Sequence, residues 1–312
     1  MNKEKEFSDI FSENKSDILI SDGAMGTVLM QKESLEFDTP LEFNLRSPDV
    51  VRRVHRQYLN AGSQIINTNT FCANRLYLEK QGLADEVEEI NLRGAGLAEE
   101  ARADYRAYEN SAPEILITGS VGPTGSEEAI FLDDEDNRNL IRETFSEQIE
   151  FLDEGGADII TLETFSYHRE LALAAEAAEK ADMPYFMNMS FTGPGPTEYG
   201  SKISDFVSLI EEKSGENLLA TGINCLTPSK DFRPLWKELA ESIDFSLPVS
   251  LLFNAGEPEL DTETGDMNYP LDKSYFHEIE AFLNFMEGDR CIIGGCCGTE
   301  PSTIKKLYKL ID

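Results

Sequence analysis

Positive charge is scarce in this chain: 27 Lys and Arg stand against 59 Asp and Glu, a formal net charge of −32 over 312 residues. Such a surface repels phosphate backbones and anionic bilayers, which excludes nucleic-acid and membrane-surface binding as its role. Long apolar runs are missing too. No window approaches the roughly 18 consecutive apolar residues that a membrane span needs, and the charged start "MNKEKEFSDIFSENKSD" has no signal-peptide core. These absences predict a cytoplasmic protein, where thiols stay reduced and clustered cysteines serve metals or catalysis rather than disulfides. Histidine is limited to three residues. His55 and His277 fall in helical stretches and His168 opens one, so all three are assigned helix or surface roles. Neither G-x-G-x-x-G nor a Walker A sequence occurs, which removes the usual phosphate-cradling loops.

What is present is alternation. Short runs rich in Ile, Val and Leu, at 17–23, 63–71, 114–122, 157–165, 184–191, 219–225, 248–256 and 291–298, are each followed by a charged, helix-periodic segment. Runs that apolar belong to strands buried on both faces of a parallel sheet. Eight strand–helix units in about 300 residues predict a single α/β domain closed as a (β/α)8 TIM barrel, for which roughly 250 residues is typical. An open doubly wound sheet is the alternative, and the missing glycine fingerprint counts against it.

In such a barrel the chemistry sits at the C-terminal strand ends. Cys225 ends the sixth run, and Cys296 and Cys297 end the eighth within "CIIGGCCGT". Three thiols from distant sequence can meet there around one ion. Zinc suits them, because three thiolates at about 2.3 Å leave a fourth position open. Small apolar packing or an adventitious redox pair is the plainer reading of adjacent cysteines. Gly294, Gly295 and Gly298 allow the close backbone approach that adjacent ligands require. Cys72 and Cys291 are expected to be buried and inert. Asp22, in "DGAMGT", and Glu163 close two other strands. Two carboxylates beside free backbone amides suit a zwitterionic amino acid, although Asp22 could simply order its turn and Glu163 pair with a buried base.

Together, "DGAMGT", "NTNTF", "VGPTG", "INC", "FNAG" and "GGCCGT" resemble the homocysteine S-methyltransferase family over nearly the full chain. Within it the motifs look more like the homocysteine module of cobalamin-dependent methionine synthase than the betaine or S-methylmethionine enzymes. The resemblance implies one homocysteine-binding barrel over residues 1–312, with 1–16 an N-terminal extension. It implies that Cys225, Cys296 and Cys297 ligate zinc, with homocysteine sulfur in the fourth position. Asp22 and Glu163 would hold the substrate amino group, and the backbone amides of Ala24 and Met25 its carboxylate. Asn254 matches an asparagine that fills the open zinc position before substrate arrives, although Phe253 stands where the pattern usually has proline.

The activity so implied is attack of a zinc-bound homocysteine thiolate on an electrophilic methyl group, forming methionine. Metal binding holds the sulfur deprotonated and nucleophilic. No D-x-H-x-x-G cobalamin-ligating sequence occurs here. Because "NTNTF" and "GPTG" resemble the cobalamin branch, the resemblance implies methylcobalamin on a separate corrinoid protein as the donor. A small onium donor such as S-methylmethionine or betaine, and a thiol-binding zinc barrel without turnover, are the alternatives.

Overall fold

In a computed structural model, described for residues 3–14, 16–32, 37–109, 113–193, 195–229, 232–242, 247–262, 267–286 and 289–311, the eight runs form one parallel sheet. Its strands are β1 (Ile18–Ile20), β2 (Ile65–Asn67), β3 (Leu116–Val121), β4 (Ile159–Phe165), β5 (Tyr185–Met189), β6 (Leu218–Leu226), β7 (Val249–Phe253) and β8 (Cys291–Gly295). They pair in the order β1-β8-β7-β6-β5-β4-β3-β2. A parallel bridge from Ser21 to Ile65 joins the two ends, with Gln64 N–H donating to Ile20 O at 2.7 Å and Asp22 N–H to Ile65 O at 2.9 Å. That closure makes a (β/α)8 barrel and disposes of the open-sheet alternative.

The strands are short but buried on both faces, as β3 and β5 are at every position. Alternation then decides what each residue meets. Ile65, Leu116, Ile159, Phe186, Leu219, Ala220 and Ile292 point inward and form one cluster, while Ile160, Leu162, Ile223 and Ile293 join the layer shared with the helices. Residues 3–14 are more than an appendage. Helix Lys3–Asn14 sends Phe7, Ile10 and Phe11 into the inward-facing cluster, with Phe7 ring-to-ring against Phe186 at 5.3 Å. It stoppers the N-terminal end of the barrel, so the cavity can open only at the other end. Among the described residues no helix is long and apolar enough to cross a membrane.

Candidate active site

Inward parity continues up the strands and selects the polar residues of the mouth. On β4 the inward series 159, 161 reaches Glu163; on β2, Ile65 leads to Asn67; on β6, Ala220 and Gly222 lead to Asn224. Simple alternation would turn Cys225 away from Asn224 and out of the barrel. Two local irregularities correct this. The β6–β7 register shifts between Asn224 and Leu226, and Cys225 takes a left-handed φ of +59°, so its side chain comes to line the mouth cavity. A matching shift on β4 falls between Leu162 and Phe165, where Thr164 has φ +62°. Left-handed backbone at a β-branched residue costs about 1–3 kcal/mol and is held only where the surroundings impose it. Here Asn224 imposes it: its Oδ1 accepts from Thr164 N–H at 2.8 Å and its Nδ2 donates to Thr164 Oγ1 at 2.7 Å.

The three sulfurs of Cys225, Cys296 and Cys297 lie within 4.8 Å of one another, with Cys225 and Cys297 4.0 Å apart. Tetrahedral zinc with thiolates at about 2.3 Å places its sulfurs about 3.8 Å apart, so this donor set fits the ion with small adjustments. Gly295 permits the turn that follows, since a Cβ there would stand 2.1 Å from Thr299 Oγ1. That hydroxyl donates to Cys296 O at 2.7 Å and accepts from Ala24 N–H at 3.1 Å, tying the cysteine turn to the loop after β1. The thiols interact strongly. Hydrogen bonds from its two neighbours hold Cys297 below the ordinary thiol range, while hydrogen bonding to the other cysteines pushes Cys296 above it. Without a cation the cluster readily carries only one negative charge. Asn254 N–H donates to Leu226 O at 2.9 Å, and its Oδ1 is buried with no hydrogen-bond partner, as a group able to reach a metal would be.

Across the mouth, Glu163 lines the same cavity, of about 360 Å3, with one oxygen receiving Ser120 Oγ–H at 2.6 Å and the other facing Asn224 Nδ2 at 3.4 Å. Asp22 lies below the rim, 1% exposed. Its oxygens accept Asn67 N–H at 2.9 Å and Asn67 Nδ2 at 2.7 Å. Burial raises both carboxyls to about 7, against hydrogen bonds that lower them; for Asp22, Glu163 adds repulsion. Every hydrogen bond that these carboxylates receive comes from a neutral group. Among the described residues neither forms an ion pair, so the alternative of Glu163 paired with a buried base is not what the fold builds.

A family model described as homocysteine S-methyltransferase matches residues 19–311. The chain belongs to that family. Homocysteine S-methyltransferase relatives include the methionine synthases of Mycobacterium leprae and Mycobacterium tuberculosis. Each is 27% identical to the chain over 93% of its residues, and the match spans only 24% of the relative's own length. The chain therefore spans about a quarter of these relatives. The metallated form of the Escherichia coli homocysteine methyltransferase MmuM shares the fold, with a TM-score of 0.77 and 22% identity over 95% of this chain and 97% of that one.

Several residues differ from what the sequence pattern anticipated. Ala24 N–H is engaged by Thr299, whereas Met25 opens the helix Met25–Lys32, whose first N–H groups have no intrahelical partner. Cys72, expected to be buried away from the chemistry, is half-buried and lines the cavity, its thiol pushed up to about 12 by burial. It follows Phe71 on the loop leaving β2, and that loop forms cavity wall rather than core. Cys291 is 1% exposed at the foot of β8, as anticipated. Asn67, Ser120 and Asn224, which hold the two carboxylates, were not singled out from sequence. Their signal was available in "NTNTF", "GSVG" and "INC" as inward positions on strand ends.

Proposed function

We propose that this chain is a zinc-dependent homocysteine S-methyltransferase that forms methionine, with residues 1–312 acting as one substrate-binding barrel. The observation that carries the reading is the pairing, across one cavity, of a three-thiol cluster with Glu163, backed by buried Asp22 beneath the rim, neither carboxylate having a basic partner among the described residues. Such a cavity calls for a ligand with a sulfur at one end and an ammonium at the other. Glu163 faces that ammonium directly; Asp22 adds its charge from beneath through Asn67. The first-turn amides at Met25 receive the ligand carboxylate. Cys225, Cys296 and Cys297 would hold the zinc, with Asn254 at the remaining position in the substrate-free state. When bound there, zinc supplies a Lewis acid that keeps a fourth sulfur deprotonated at neutral pH. The chain itself orients that sulfur toward the open mouth. The thiol proton leaves to solvent on binding; in transfer, the donor–methyl bond breaks as the sulfur–methyl bond forms.

The donor is proposed to be a methyl-corrinoid carried by another protein module. Exposed apolar side chains support this, because Met30, Ile130, Phe131, Tyr199, Leu260 and Leu271 all lie on segments that follow strand ends around the mouth. Apolar side chains exposed on the loops at one end of a barrel offer contacts to a macromolecule that docks there. The test incubates zinc-loaded protein and homocysteine with methylcobalamin, S-methylmethionine or betaine and measures methionine. Product with methylcobalamin is expected. Product from an onium donor alone overturns the donor assignment, and none from any donor overturns the activity.

A further inference from the structure

Helix Pro48–Ala61 buries Val51, Val54, His55 and Tyr58, the spacing of one helical face. At position 58 the packing alone asks only for a ring, since Tyr58 is fully buried in one apolar cluster with Met25, Leu29 and Ile304. Its hydroxyl has a separate use. It stands 2.8 Å from Ala24 O and 3.1 Å from Thr299 O and shares its one proton between them. A buried hydroxyl needs partners, but these two carbonyls lie 275 residues apart, on the loops that leave β1 and β8. The same two residues also meet directly, because Ala24 N–H donates to Thr299 Oγ1, which donates on to Cys296 O. Gly23 leaves room for this joint: a Cβ there would come 2.6 Å from Thr299 Oγ1 and 3.0 Å from Tyr58 Oη. Below it the two segments are laddered up to Gly295 N–H on Asp22 O at 2.8 Å; beyond it they are linked by a longer bond, Gly298 N–H to Thr27 Oγ1 at 3.4 Å.

The joint sits between the two ends of the substrate cavity. One residue past Ala24, Met25 opens the helix Met25–Lys32 with amides that lack an intrahelical partner. Two residues before Thr299, Cys297 brings its sulfur to the thiol cluster. A ligand held by its carboxylate at the first place and by its sulfur at the second is measured against a span that the joint fixes. Homocysteine and cysteine differ by one methylene, a difference that a fitted site turns into about 10–200-fold discrimination. We propose that Tyr58 is a positioning residue that sets the chain length of the thiol acceptor: it locks the carboxylate loop to the cysteine turn, so that the span suits homocysteine and leaves cysteine short. Tyr58 itself does not line the cavity and acts through Ala24 and Thr299. This rests on the substrate reading above.

Tyr58→Phe removes the hydroxyl and keeps the ring in its cluster. Titration calorimetry on zinc-loaded, full-length protein measures homocysteine and cysteine binding, and the readout is the ratio of the two affinities. Wild type is expected to favour homocysteine by about 10–200-fold. In Tyr58→Phe the ratio is expected to fall about tenfold, because the freed loops can close on the shorter thiol. A general loosening of the fold would weaken both ligands alike and leave the ratio where it was. Thr299→Val, which removes the other hydroxyl of the joint, is expected to lower the ratio in the same way, and Thr299→Ser, which keeps it, to restore the wild-type value. A Tyr58→Phe ratio equal to wild type overturns the inference and leaves the substrate reading standing, as does wild-type protein that binds the two thiols equally. Should Tyr58→Phe not fold, the Thr299→Val ratio decides by the same criterion. Wild-type protein that binds neither thiol overturns both.

Discussion

Glu163 is a carboxylate that the fold keeps at a cost for the sake of its ligand, and that cost can be measured. Burial lifts it from 4.5 to about 7. At about 1.36 kcal/mol per pKa unit this opposes folding by about 3 kcal/mol once the group is charged, and its partial exposure to the cavity reduces the figure to about 1–2 kcal/mol. The sign follows from linkage. A carboxyl whose folded pKa lies above its unfolded one binds more protons when folded, so stability falls as pH rises through the interval from 4.5 to about 7. Glu163→Gln keeps an oxygen for Ser120 Oγ and removes the charge. Without metal or substrate it should therefore stabilise the protein by about 1–2 kcal/mol at pH 8, or about 2–4 °C in Tm for a chain of this size. By pH 5 the gain should shrink to about a quarter, because the wild-type carboxyl is then mostly protonated when folded. Calorimetry at the two pH values measures this, and homocysteine titration of the same variant should show binding weakened at least tenfold. Equal Tm values at pH 8, or undiminished homocysteine binding, would refute the reasoning.

Other consequences follow from the same structure. Cys297→Ser removes one of the three clustered thiols, so metal content measured by atomic absorption and methionine formation should both be lost. His55 is fully buried with neither ring nitrogen hydrogen-bonded, and burial lowers it to about 3. Its depressed folded pKa leaves stability intact above about 6.5 and erodes it as pH falls, by about 2 kcal/mol at pH 5. His55→Leu should remove that part of the acid slope in urea titrations at pH 7 and pH 5. Phe11, 2% exposed in the barrel stopper, should cost about 3 kcal/mol when replaced by Ala, read as a lower urea midpoint.

Much of the fold was legible because buried parallel strands cannot hide their composition. Each of the eight apolar runs falls on a strand, and the strand ends named the three cysteines, Asp22 and Glu163. What could not be read was local backbone geometry. Alternation along "GINCL" points Cys225 out of the barrel, and only the register shift with φ +59° brings it in. Nor does "DGAMGT" reveal that Thr299, 275 positions away from Ala24, already occupies that amide. Cys72 looked like core because a thiol after a strand usually is, but the loop it sits on forms cavity wall.

The central claim is that three cysteines present a metal with one position open to a substrate sulfur. X-ray absorption at the zinc edge, on zinc-loaded protein before and after homocysteine is added, tests it most directly. The account predicts three sulfurs at about 2.3 Å and one lighter atom without substrate, changing to four sulfurs with homocysteine. A sulfur count that stays the same on adding homocysteine would contradict it.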